Sequence, residues 1–193
     1  PQAGNALAPN RERLLALEPD LILSQGKSEI LGGFARARGI EFLAFPLDTL
    51  DDLRAAIAGF AAALGAEENG RTLWAEMERG FAAIPAGAPV PVFLALGHAP
   101  GDLSGLMTSG PGTFLDQIVA KAGGSNIFSD VDLLWPKISQ EALVRRQPAL
   151  ILDFQNGPAD DARRAALVAD WERLGFQAAR IRILAEDYLL KPG

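Results

Sequence analysis

Glu12-Arg-Leu-Leu-Ala-Leu-Glu-Pro19-Asp-Leu-Ile-Leu23 and Glu141-Ala-Leu-Val-Arg-Arg-Gln-Pro148-Ala-Leu-Ile-Leu152 carry nearly the same message. In each, a Glu opens a short amphipathic run, a Pro follows seven residues later, and a trio of apolar residues closes the segment. That pattern predicts a helix, a stop and a buried strand. The offset is constant, since 141 − 12 = 129 and 148 − 19 = 129. A unit repeated once at that distance predicts two similar half-structures, and a cleft between two lobes is a common ligand site. The pattern also recurs by chance in α/β chains, so the remaining segments decide.

They continue the alternation. Leu21 to Ser24 reads as a first strand, Ser28 to Arg38 as a helix that Gly39 ends, and Ile40 to Phe45 as a second strand. Asp48-Thr49 caps a helix in which Leu50, Leu53, Ile57, Phe60, Ala61 and Leu64 recur at helical spacing, an expected core face and no cofactor box. A second long helix from Glu67 to Ala83 stops at the Pro/Gly/Ala stretch Pro85 to Pro91 and reads as a connector. Strand Val92 to Leu96, a Gly-rich loop from Gly97 to Gly112, a helix Thr113 to Ala122 and a turn Gly123 to Asn126 follow. The repeat returns at Ser139, an N-cap, with a strand Leu150 to Asp153, a helix Ala159 to Leu174 and a strand Arg180 to Leu184. The expected architecture is α/β: two small Rossmann-like lobes with mainly parallel sheets, joined by one long helix. The expected division is 1–65, 66–84 and 85–193.

Composition narrows the function. At 193 residues with 49% hydrophobic content the chain buries a substantial core. A net charge of −6 argues against a nucleic-acid surface, and Arg145-Arg146 and Arg163-Arg164 are too short to form a basic stripe. With no Cys there is no disulfide, thiolate metal site or Cys nucleophile. No apolar run is long enough to span a membrane, and Pro1-Gln-Ala-Gly-Asn lacks the regions of a signal peptide, as a processed or trimmed chain would.

Chemistry-bearing residues are few. The single histidine, His98, follows a strand, where open α/β sheets bind ligands; it reads either as a ligand contact or as a hydrogen-bonded loop residue. One imidazole cannot build a three-His metal site, and no Gly-x-Ser-x-Gly elbow is present, so neither a zinc centre nor a serine hydrolase is expected. Ser109-Gly-Pro-Gly-Thr113 lacks the P-loop ending and fits a close backbone turn better than a phosphate cradle. Trp135, in an irregular stretch, reads equally as a packed ring or as one that stacks on a flat ligand. Glu12 and Glu141 sit at helix starts, which the macrodipole favours; as a matched pair they also suit docking to arginines of a symmetric partner.

Asn10-Arg-Glu12-Arg-Leu-Leu-Ala-Leu-Glu-Pro19-Asp20-Leu-Ile-Leu, Thr108-Ser-Gly-Pro-Gly-Thr-Phe-Leu115, Ala122-Gly-Gly-Ser-Asn126-Ile, Trp135-Pro-Lys-Ile-Ser139-Gln-Glu141 and Asp187-Tyr-Leu-Leu-Lys-Pro-Gly193 occur in that order. Together they resemble the periplasmic binding proteins of ABC importers for ferric siderophores, haem and cobalamin. The resemblance implies two α/β lobes joined by one helix, a metal chelate held between them, and Glu12 and Glu141 docking onto a membrane permease dimer. It further implies a non-enzymatic monomer with no cofactor or structural metal. Its expected location is the periplasm or, if lipid-anchored, the outer face of the cytoplasmic membrane. By motif position the ligand contacts would be Trp135 and Asp187, with Gln25 and Met107 where cobalamin-binding members carry aromatics, and His98 and Tyr188 as the candidates for haem ligation. The implied cargo is a ferric siderophore first, cobalamin second and haem third. The family pattern also implies a strand and helix ahead of Pro1 and a closing helix after Gly193. Two rivals make different predictions. A cofactor-dependent α/β enzyme using the Gly97 to Gly112 loop would be stabilised by nucleotide or phosphate; an intracellular sensory or interaction module would have a precursor without an export signal.

Overall fold

The computed structural model describes residues 9–85 and 87–185. The chain divides into two compact units, residues 1–76 and 77–193, and the division falls inside one helix.

In the first unit, α1 (Arg11–Ala16) leads into β1 (Leu21–Gln25), α2 (Glu29–Arg36), β2 (Glu41–Phe45), α3 (Leu50–Ala63) and the first turns of α4 (Glu67–Ala82). β1 and β2 pair in parallel from Leu21↔Glu41 to Gln25↔Phe45. Ile22 of β1 and Phe34 and Ala35 of α2 form a small core against Leu14, Ile40 and Phe42. Thr49 caps α3 reciprocally: its hydroxyl accepts from the Asp52 amide and the Asp52 carboxylate accepts from the Thr49 amide, each at 3.0 Å. Leu50 and Ala61 of α3 are buried, but Leu64, expected on the same face, is exposed because it is the C-cap where the helix turns away.

The second unit contains the last turns of α4, then β3 (Val90–Leu96), α5 (Phe114–Lys121), β4 (Gly124–Asn126), α6 (Gln140–Arg146), β5 (Leu150–Phe154), α7 (Asp161–Arg173) and β6 (Ile181–Leu184). The strands lie in the order β4-β3-β5-β6, every pair parallel. Side chains alternate across β3: Val92 and Leu94 pack with Leu115 and Val119 of α5, whereas Phe93 and Ala95 pack with Leu143 of α6 and Trp171 of α7. Helices thus cover both faces of this sheet.

β4 corrects the sequence reading, which made Gly123 to Asn126 a turn. No apolar alternation marks this strand; what permits it is Gly124. A Cβ there would overlap the Val119 side chain and come within 3.1 Å of Val92, so only glycine lets this backbone lie against β3.

The 129-residue repeat is a repeat of geometry. Asn10 and Ser139 cap α1 and α6 through their side chains, Glu12 and Glu141 are the second residues of those helices, and β1 and β5 begin at Leu21 and Leu150. Among the described residues only Glu18 and Gln147 are non-glycines with positive φ, at 44° and 48°, and 147 − 18 = 129. Each precedes the Pro that ends its helix. A helical conformation is disfavoured before proline, and here the left-handed one reverses the chain toward the strand.

Candidate functional site

In an open parallel sheet, ligands approach the carboxyl ends of two neighbouring strands whose connections leave toward opposite faces. In the second unit those strands are β3 and β5. The β3 connection passes through α5 on one face to β4; the β5 connection passes through α7 on the other face to β6. The residues that follow the two strands are the loop from Gly97 and the segment from Gln155.

His98 lies at that point, and its geometry is that of a hydrogen-bonded interior residue. Its side chain is 2% exposed, with Nδ1 3.3 Å from Asp153 Oδ2 and Nε2 3.2 Å from Asp170 Oδ2. The ring stands edge-on to Trp171, centroids 5.0 Å apart. The carboxylates are shared with other donors. Asp153 Oδ2 accepts from the Trp171 indole at 2.9 Å and Oδ1 from the Gln155 amide at 2.7 Å. Asp170 Oδ2 accepts from the Gly101 backbone N–H at 2.9 Å, and its Oδ1 pairs with Arg173. Gln155 is itself held by Arg163 at 3.2 Å. Burial works to lower the imidazole pKa, but the hydrogen bond and charge of Asp153, followed by those of Asp170, outweigh it and raise the pKa above 6.5. The protonated ring then donates from both nitrogens. The two carboxylates sit on opposite ring nitrogens and face no common point, and among the described residues no cluster of three His, Asp or Glu side chains is arranged for a metal ion.

The same loop brings Met107 and Trp135 onto one ribbon. The Thr108 amide donates to Pro136 O at 3.0 Å, the Gly110 amide to Leu134 O at 2.7 Å and the Ile138 amide to Leu106 O at 2.8 Å, so segments 106–110 and 134–138 pair antiparallel. Gly110 is required there because a Cβ would run into the Leu133 carbonyl. Trp135 is half-buried, its ring tilted against Phe114 at 6.0 Å between centroids. Met107 is half-buried as well, while the neighbouring Leu133 and Leu134 are exposed. Ser109-Gly-Pro-Gly-Thr113 is a backbone turn: the Thr113 hydroxyl accepts from the Asp116 amide and donates to Gly110 O. Gln25 belongs to the first unit, exposed at the carboxyl end of β1. Asp187 and Tyr188 lie outside the described residues.

Glu12 and Glu141 are both exposed. Glu141 stands on the rim of a shallow concavity of about 420 Å³ lined also by Gln140, Val144, Arg145 and Leu174. Its carboxyl is held below the usual range by its own backbone amide and then by the Ser139 hydroxyl, with a smaller contribution from Arg145. Of the arginines in the two basic doublets, Arg146 grips Asp130 with two nitrogens at 2.7 and 3.0 Å and covers Phe128, and Arg164 donates to Ala159 O and Ile183 O. These side chains hold loops in place.

The sequence model of the periplasmic binding protein family matches residues 1–167. The chain belongs to the periplasmic binding protein family. Among curated relatives, the vitamin B12-binding protein of Pectobacterium atrosepticum is 32% identical over 158 residues, covering 74% of this chain and 53% of that protein. The chain therefore spans about half the length of the curated relatives it matches. Two solved structures from Vibrio cholerae share the fold. The periplasmic heme-binding protein HutB has a TM-score of 0.80 at 20% identity over 98% of this chain and 77% of its own. The periplasmic vitamin B12-binding protein BtuF has a TM-score of 0.67 at 22% identity over 99% and 74%. Periplasmic binding proteins named for different cargoes thus share this fold, and the fold alone does not discriminate among them. No helix among the described residues is long and apolar enough to cross a membrane.

Proposed function

We propose that this chain is the ligand-holding body of an ABC importer's binding protein and that its cargo is a cobalamin. The observation that carries the cargo is sequence kinship. Relatives matched across about three quarters of the chain, at 27% to 32% identity, are named vitamin B12-binding proteins. This reverses the order expected from motifs, which put ferric siderophore ahead of cobalamin. Trp135 and Met107, joined on one ribbon beside exposed Leu133 and Leu134, would supply apolar contact for a flat macrocycle. Gln25, Asp187 and Tyr188 would supply polar contacts. His98 is left out, because both of its nitrogens are engaged by carboxylates.

In this reading the protein works in the periplasm as a monomer. α4 connects the lobes, and Glu12 and Glu141 each meet an arginine of a permease dimer. Spectral titration of the full-length protein with cyanocobalamin, hemin and a ferric hydroxamate tests the cargo. Cobalamin is expected to bind with a Kd of about 1 μM or tighter. Binding of only one of the others would reassign the cargo, and silence for all three would overturn the receptor itself. Reversing both Glu charges is expected to abolish uptake in cells while leaving cobalamin affinity unchanged.

A further inference from the structure

Gly97 to Gly112 is a long loop without helix or strand of its own, yet it is tied down at both ends. At its far end the Leu96 amide donates to Met107 O at 3.0 Å, and the Thr108 hydroxyl to Leu94 O at 2.7 Å. At its near end a single oxygen, Asp170 Oδ2 on α7, accepts from both His98 Nε2 and the Gly101 amide. The other nitrogen of the same ring reaches Asp153 on β5. One imidazole therefore bridges a strand and a helix and anchors the loop that runs on to Met107.

We propose that His98, as an imidazolium, is a positioning residue that pins the near end of this loop to β5 and α7, so that loss of its proton releases Gly101 while the far end stays held at Leu94 and Leu96. The chemistry follows from donor counting. An imidazolium presents an N–H to each carboxylate, whereas the neutral ring keeps one N–H and turns a lone pair toward a carboxylate oxygen 3.2 or 3.3 Å away. That contact is repulsive, and the ring or the carboxylate must move. The Gln155 amide gives one N–H to Asp153 Oδ1 at 2.7 Å, and its second, 3.5 Å from Nδ1, is too distant to give a neutral ring more than a weak bond. The charged groups around the ring are Asp153 from β5, Asp170 with its partner Arg173 from α7, Arg163 acting through Gln155, and Asp102 from the loop itself. Acids outnumber bases next to the ring, which favours the cation.

His98 is the single histidine of these 193 residues, and in NMR spectra of the full-length protein without ligand its imidazole resonances are identified by their loss in His98→Gln. Across a titration from acid to alkaline pH, the ring is expected to change with a midpoint above 6.5. The Gly101 amide and the Trp171 indole should move with the same midpoint, and Gly101 should lose about tenfold in exchange protection once the intrinsic pH dependence is removed. Asp170→Asn should lower the midpoint and expose Gly101 even at acid pH, whereas Leu143→Ala, a purely structural lesion, should leave the midpoint in place. A midpoint at or below 6.5, or Gly101 and Trp171 signals that stay flat through it, would overturn the proposal, and the wild-type titration decides this whether or not a variant folds. Cobalamin titration of the same sample keeps the pin and the cargo reading apart. A loop response without any cobalamin binding upholds the pin and sinks only the cargo.

Discussion

The step from α1 to β1 and the step from α6 to β5 are built alike and supported differently. Both start at a capping side chain, carry Glu at the second helical position, and reverse through a left-handed residue before Pro. Yet α1 buries no residue, whereas α6 buries Leu143 completely; Leu14, its counterpart at the 129-residue offset, is only half-buried. β1 lies in a two-stranded sheet and β5 in the middle of a four-stranded one. Local chemistry fixes the shape of the step, and the neighbours decide how much stability it contributes.

The largest expected break in that parallel comes from truncating the two leucines. Leu143→Ala should cost about 2–5 kcal/mol, because it empties a closed core. Leu14→Ala should cost about 1 kcal/mol or less, since water already reaches that site. Denaturant unfolding followed separately in each unit measures both. Equal losses would mean that Leu14 is packed as closely as Leu143.

Protonation should separate the units next. The folded-state pKa of His98 is raised, so the stability it contributes is fully present below about 6.5 and is lost as pH climbs through the folded value. The second unit should therefore weaken from neutral toward alkaline pH. The first unit, which has no histidine, should not share that slope. In His98→Gln the slope should vanish, at the cost of a less stable second unit even at acid pH. Thermal melts of wild type and variant across this window are the measurement.

A smaller effect should fall on both units equally. Glu18 and Gln147 hold a left-handed backbone that costs a side-chain-bearing residue about 1–2 kcal/mol, while glycine adds about 0.5–1 kcal/mol of unfolded-state entropy. Glu18→Gly and Gln147→Gly should each stabilise by about 0.5 kcal/mol. Opposite signs in chemical denaturation would show that the two turns are not equivalent.

Much of this architecture was legible because it depends on neighbours in sequence. The caps at Ser28, Thr49, Thr113 and Ser139, the Pro stops, and the apolar runs of β1, β2, β3 and β5 act within a few residues. What escaped depends on register and rotation. β4 exists because Gly124 admits a close approach to β3, not because its residues favour a strand. The His98 site requires that Asp153 sit opposite Ala95 across the sheet and that α7 turn Asp170 and Trp171 inward; a lone histidine after a strand was the only linear trace of it. The joining of Met107 to Trp135 is likewise a meeting of two irregular segments, which no periodicity announces.

The smallest effect on the fold should accompany the largest on delivery. Glu12 and Glu141 are exposed at the second position of short helices, and for Glu141 the hydrogen bonds that hold the carboxylate come from its own amide and Ser139. Replacing either by Gln keeps most of the local polar geometry and should leave the unfolding midpoint within experimental error, since solvent screens what the charge adds at a helix start. A permease arginine, by contrast, would lose the charge-assisted partner that a neutral amide cannot replace. If the two lobes dock as equivalents, each single variant should slow cobalamin uptake to a similar extent and the double variant should slow it further than either. Loss in only one single variant would make the 129-residue repeat an echo of folding with a function retained in one half. Loss in neither would return both glutamates to the helix-start preference that already accounts for their place in the sequence.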